Sequence, residues 1–192
     1  RCNRMVPMGA TFVRISASLP LRLRTAFGGI AALLCVLAGF PATGQELPPD
    51  EVRAVIEGTW ELVEWHVEGR ILRPPEMNGR WMVHDGIVMA TRHRQSEDGY
   101  ESTAGYGTYS WGATTWTYGY DRSEDRLGSS PTETTLRVSE IPMRLFEITQ
   151  HGDLLILEDR DSTLRWEYDI SGKTFLLLGR DRQPIRKYRR ID

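Results

Sequence analysis

The chain has 192 residues with 24 Lys+Arg, 26 Asp+Glu, 18 Gly, 10 Pro and 2 Cys. That is one ordinary domain, and neither a collagen-like nor a disordered composition fits 40% hydrophobic and 26% charged residues. Residues 1–44 carry five Arg and no acid, which leaves 19 bases against 26 acids in 45–192, a net of −7. So acidic a domain lacks the concentrated basic surface that nucleic acid requires, and no nucleic-acid partner is expected.

Arg22 and Arg24 precede the uncharged run Ala26 to Phe40, and Pro41-Ala42-Thr43-Gly44 follows with small residues. This is the layout of a secretory signal, basic then apolar then small. The division is therefore a leader at 1–44, cleaved near Gly44, and a mature domain at 45–192. Periplasmic or secreted localisation follows, with no stable membrane span after cleavage. The alternative, a retained anchor, is weakened by the length of the run, about 15 residues against roughly 20 for a span. Cys2 and Cys35 both lie in the leader. The mature domain thus has no disulfide, thiolate nucleophile or Cys-based metal site.

In chain order, one short helix is predicted over Pro48–Glu57, with prolines and acids at its start and Gly58 after it. Everything beyond reads as short strands. Thr59–Glu68 changes phase: Trp60 and Leu62 share one face, whereas Val63, Trp65 and Val67 continue on the other. A bulge near Leu62-Val63 would bring both sets inward. Asp85-Gly86 joins Arg80–His84 to Ile87–His93 as a hairpin, and Gln95–Gly99 reads as a loop. Gly112-Ala113 is expected to join Gly105–Trp111 to Thr114–Asp121 with Tyr109 opposite Trp116. That register collects Tyr109, Trp111, Trp116, Tyr118 and Tyr120 on one face and leaves Tyr106 the exception on the other. It also sets Gly105 and Gly107 against Tyr120 and Tyr118, where rings cover glycines and the sheet bends. Asp121–Arg126 reads as a connector, followed by strands Thr134–Ser139 and Arg144–Gln150. His151-Gly152-Asp153 leads to Leu154–Asp159. Ser171-Gly172 joins Thr163–Ile170 to Lys173–Leu178, placing Trp166, Tyr168, Phe175 and Leu177 on one face. Ile185–Arg190 completes ten or eleven strands. The fold class is all-β, an up-and-down antiparallel barrel of about 8–11 strands with a short N-terminal helix.

Gly58-Thr59-Trp60-Glu61-Leu62-Val63 after a short helix resembles the first strand of a bacterial lipocalin-like domain of the calycin type. Gly69-Arg70, Pro74-Pro75, Gly79-Arg80, Tyr106-Gly107-Thr108-Tyr109 and Leu164-Arg165-Trp166 resemble later parts of that group. The resemblance implies a barrel floor where Trp60 packs on a basic residue of the last strand, one of Arg186, Lys187, Arg189 or Arg190. It also implies an interior that takes a small hydrophobic or amphipathic ligand.

The cluster Trp65, Tyr109, Trp111, Trp116 and Tyr118 is the candidate ligand site, since rings offer flat apolar contact and Tyr and Trp tips orient polar groups. His66, His84, His93 and His151 form no close-spaced pair, so no metal or other cofactor is expected. No catalytic constellation is recognisable: Glu61, Glu64 and Glu68 read as a solvated strand face, and Glu147 near Arg144 as a candidate interior carboxylate. Two alternatives to ligand carriage stand open. One is an isomerase or cyclase acting on a hydrophobic substrate in the same barrel. The other is a filled barrel serving as an interaction module in the envelope. The sequence leaves the oligomeric state open.

Overall fold

The structure, a computed structural model, describes residues 46–97 and 99–192. The leader assigned to 1–44 lies outside the described residues. Among them, no helix is long and apolar enough to cross a membrane.

One helix, α1 (Pro49–Ile56), is followed by eleven strands: β1 (Gly58–Val67), β2 (Arg70–Leu72), β3 (Met77–His84), β4 (Ile87–Ser96), β5 (Gly99–Trp111), β6 (Thr115–Ser130), β7 (Glu133–His151), β8 (Leu154–Asp159), β9 (Arg165–Asp169), β10 (Thr174–Leu178) and β11 (Pro184–Arg190). All are antiparallel to their neighbours, and β1 pairs with both β3 and β11, so ten strands close into a barrel while β2 extends the β1 edge.

Closure depends on β1. Its register against β11 shifts between Leu62 and Glu64, the expected bulge. Trp60, Leu62 and Trp65 are consequently all buried despite their odd spacing. On the outer face of this seam Glu61 meets Arg80 of β3 at 3.2 Å and Arg189 of β11 at 2.6 Å. The Arg189 hydrogen bond, ahead of the other contacts, holds the Glu61 carboxyl below its usual range. Glu64 pairs with Arg73 at 2.7 Å. Glu61 and Glu64 of the acidic run are therefore ion-paired on the outer face, Glu61 linking three strands across the seam, and each exposed pair adds little by itself.

The turns follow local chemistry. Asp85 and Gly86 have φ of 48° and 79°, the left-handed pair that a two-residue hairpin requires. Tyr168 pairs with Phe175 and Trp166 with Leu177, the register expected from Ser171-Gly172.

Four expectations are corrected. The β5–β6 turn is longer than Gly112-Ala113: Gly112 N–H donates to Thr115 O (2.8 Å), and Tyr109 faces Tyr118 while Trp111 faces Trp116. The slip is two residues, one full side-chain period, so the aromatic face survives intact. Asp121–Arg126 belongs to β6, and Thr134–Ser139 and Arg144–Gln150 are parts of one β7 running through Pro142. These segments alternate weakly because both faces carry polar groups; inside, Thr103 donates to Asp125 at 2.7 Å and Ser123 is buried. Finally, Glu147 points outward, its side chain 64% exposed, and Arg144 pairs instead with the buried Asp159 at 3.4 Å. The ring of Tyr120 does cover Gly105, where a Cβ would come within 3.3 Å of it. Gly107 faces the backbone of Gly119 and Tyr120 rather than Tyr118.

Of the four basic residues considered for the floor, Arg190 is the one that packs on Trp60, its guanidinium 4.7 Å from the ring. It also donates to the carbonyls of Ala54 (2.9 Å), Val55 (3.3 Å) and Glu57. One planar cation thus satisfies the open carbonyl end of α1 and seals the barrel below it. Replacing it by Met keeps much of the packing and removes the donors. Arg190→Met is expected to lower unfolding free energy by about 2–3 kcal/mol, the range for hydrogen bonds to a charged group. Urea denaturation followed by Trp fluorescence measures this, and an unchanged midpoint would contradict the assignment.

Candidate functional site

The interior changes character along the barrel axis. The centre is a packed set of rings drawn from inward positions of seven strands. Trp60 meets Phe175 edge-on at 4.9 Å, and Phe175 stacks on Tyr188 at 4.5 Å. Trp81 lies 5.2 Å from Trp166, and Tyr118 stacks on both Trp116 (4.8 Å) and Phe146 (5.6 Å). Each such pair adds about 0.5–1.5 kcal/mol beyond the area it buries. The indole N–H groups of Trp116 and Trp166 are buried in this stack with no acceptor among the described residues.

At one end α1 forms a lid. Its N-terminal side is fastened by Leu47 N–H donating to Gln150 Oε1 (2.8 Å). Its C-terminal side is fastened at Glu57, whose Oε1 accepts from the Tyr109 hydroxyl (2.7 Å) and the Trp111 indole (3.2 Å). Val55 and Ile56 are buried beneath the lid, while the guanidinium of Arg53 lies 5.6 Å over the Trp111 ring. Between the lid and the barrel rim a cavity of about 650 Å³ is lined chiefly by Leu47, Val52, Trp111, Ile148 and Leu155. A space of that size suits a small ligand.

At the opposite end the inward positions turn polar. Three guanidiniums surround Trp65: Arg186 at 4.8 Å, Arg94 at 5.6 Å and Arg92 at 5.9 Å from its ring. Arg94 is ion-paired to Glu101 at 2.8 Å. Asp159 nearby is held by Thr163 N–H (2.7 Å), the Thr163 hydroxyl and Leu164 N–H (3.1 Å). Burial would raise its pKa, but these bonds and Arg144 carry it below the usual range.

The five candidate residues are thus divided. Tyr109, Trp111, Trp116 and Tyr118 come together, Trp111 lining the cavity under the lid and Trp116 and Tyr118 sitting deep in the ring stack. Trp65 stands apart in the arginine cluster. Sequence reasoning missed Glu57 and Gln150, because it treated the helix as an element rather than a lid. It also missed Arg92, Arg94 and Arg186. Alternation could have found them, since Arg92 and Arg94 continue the inward phase of Val88 and Ala90, and Arg186 that of Tyr188.

The four histidines stay dispersed: His66 contacts Glu64, His84 contacts Asp85 and His93 stacks on Tyr100. Among the described residues no group of three or more His, Cys, Asp or Glu could hold a metal ion.

The ring stack has a titration signature. Burial pushes the hydroxyls of Tyr109 and Tyr118 up to about 12 and those of Tyr120 and Tyr168 well above the ordinary value. A phenol whose folded pKa is raised stabilises the fold fully below pH ~10 and loses that contribution as pH rises through the folded value. Ultraviolet titration is expected to leave these four of the seven tyrosines un-ionised at pH ~11. Ionisation would then accompany alkaline unfolding. Seven phenols titrating together near pH 10 in a folded protein would contradict the packed interior.

No family model matches the chain, and no curated protein or solved structure matches it either. The closed antiparallel barrel is consistent with the calycin type.

Proposed function

We propose that this is an exported, lipocalin-like protein, periplasmic or secreted, that binds a small hydrophobic or amphipathic molecule in its barrel. The observation that carries the reading is the cavity between α1 and the rim, where Leu47, Val52, Trp111, Ile148 and Leu155 supply an apolar part of a mixed lining. A guest there would lie against the indole face, its polar end within reach of Arg53 or Gln150 at the border. The basic-apolar-small leader supports export.

The test is a titration of the protein with retinol and with the neutral dye Nile red, read by Trp quenching and dye emission. Saturable binding is expected, weakened at least about tenfold in Trp111→Ala and in the space-filling Val52→Trp, with near-ultraviolet circular dichroism retained. Absence of saturable binding to both probes would remove this reading in favour of a filled barrel with an interaction role.

A further inference from the structure

We propose that the barrel end opposite α1 is a second binding site, for the oxyanion of a small organic acid or a phosphate, gripped by Arg92 and Arg186. This goes beyond ligand binding under the lid, because it uses neither α1 nor Trp111. Four observations lead to it.

Arg92 on β4, Arg94 on β4 and Arg186 on β11 converge on one indole, Trp65, which is itself buried. Glu101 is ion-paired to Arg94, and its charge also reaches Arg186, but neither Arg92 nor Arg186 has a carboxylate in ion-pair contact among the described residues. The Nε atoms of Arg92 and Arg186 are buried without a hydrogen-bond partner. Lastly, the phenols of Tyr118, Tyr120 and Tyr188 face these cations closely enough to feel their charge, or in the last case that of Arg186.

Proteins seldom bury like charges side by side, because desolvation and mutual repulsion both oppose it. Arg186 registers both effects: burial first, then the charge of Arg92, lower its pKa to about 10, so it remains a cation at neutral pH. Structural arginines of this barrel look different. Arg190 donates through Nη2 to the carbonyls at the end of α1, though its Nε is without a hydrogen-bond partner too, and Arg165 is paired with Glu158 and Glu167. Among the described residues Arg92 and Arg186 have no such partners, and both guanidiniums lie within cation–π range of Trp65. A planar fork matches a carboxylate or phosphate with two parallel bonds.

The experiment uses the full chain and three probes at constant ionic strength held with NaCl: sodium benzoate, inorganic phosphate, and benzyl alcohol as the uncharged counterpart. Calorimetry and thermal denaturation are the readouts. At least one oxyanion is expected to bind saturably, raise Tm and exceed benzyl alcohol in affinity by about tenfold or more. The stronger of benzoate and phosphate identifies the headgroup. Arg92→Gln and Arg186→Gln should each reduce that affinity at least about tenfold while Nile red affinity stays within about twofold. Equal weak affinity for all three probes would overturn the proposal, as would oxyanion binding that survives both substitutions or disappears in Trp111→Ala. Should a glutamine variant fail to fold, the wild-type comparison of oxyanion with alcohol decides alone.

Discussion

The architecture depends on one irregularity, the bulge at Val63 that lets β1 serve two neighbours. A strand of strict alternation would send either Trp60 and Leu62 or Trp65 to the solvent side. The extra residue keeps all three inside and bends β1 as it passes from β3 to β11. Without that bend the sheet would end in two open edges, and its interior would be an exposed aromatic face prone to association. The seam is reinforced outside by Glu61 between Arg80 and Arg189, and at the floor by Arg190 on Trp60.

Closure creates an enclosed space with two unlike ends. Rings fill the middle, so the barrel is not a uniform tube. Under α1 apolar side chains share the lining with Arg53 and Gln150, and the lid is fastened at both sides, by Gln150 and by Glu57, with room left between the fastenings. At the other end arginines outnumber their carboxylate partners. The two environments select different chemistry, and the packed rings between them include donors with no acceptor among the described residues.

Most of the fold was legible because its signals are local. Asp85-Gly86 set a hairpin, the alternation in Trp166-Glu167-Tyr168 set a face, and the broken phase of Trp60 to Val67 set the bulge. Period-two patterning also explains why a two-residue error at Gly112-Ala113 did no harm to the aromatic partition. The long β6–β7 hairpin was illegible because Asp121–Arg126 is polar on both faces, and its inward residues are held by hydrogen bonds rather than by burial of apolar groups. The site was read less completely. Aromatic residues announce themselves as candidates, whereas an inward arginine looks like any charged strand residue until the strands around it are placed. Likewise, nothing in the helix sequence identifies it as a lid; that follows from where Glu57 and Arg190 bind.

Closure is the claim beneath all of this, and amide hydrogen exchange tests it most directly. If β1 and β11 are paired to each other, their slowest amides exchange only through global unfolding, at the same limit as those of β4 and β5. Exchange of β1 and β11 at rates near those of an unstructured chain, with β4 and β5 still protected, would mean an open sheet and would contradict the account.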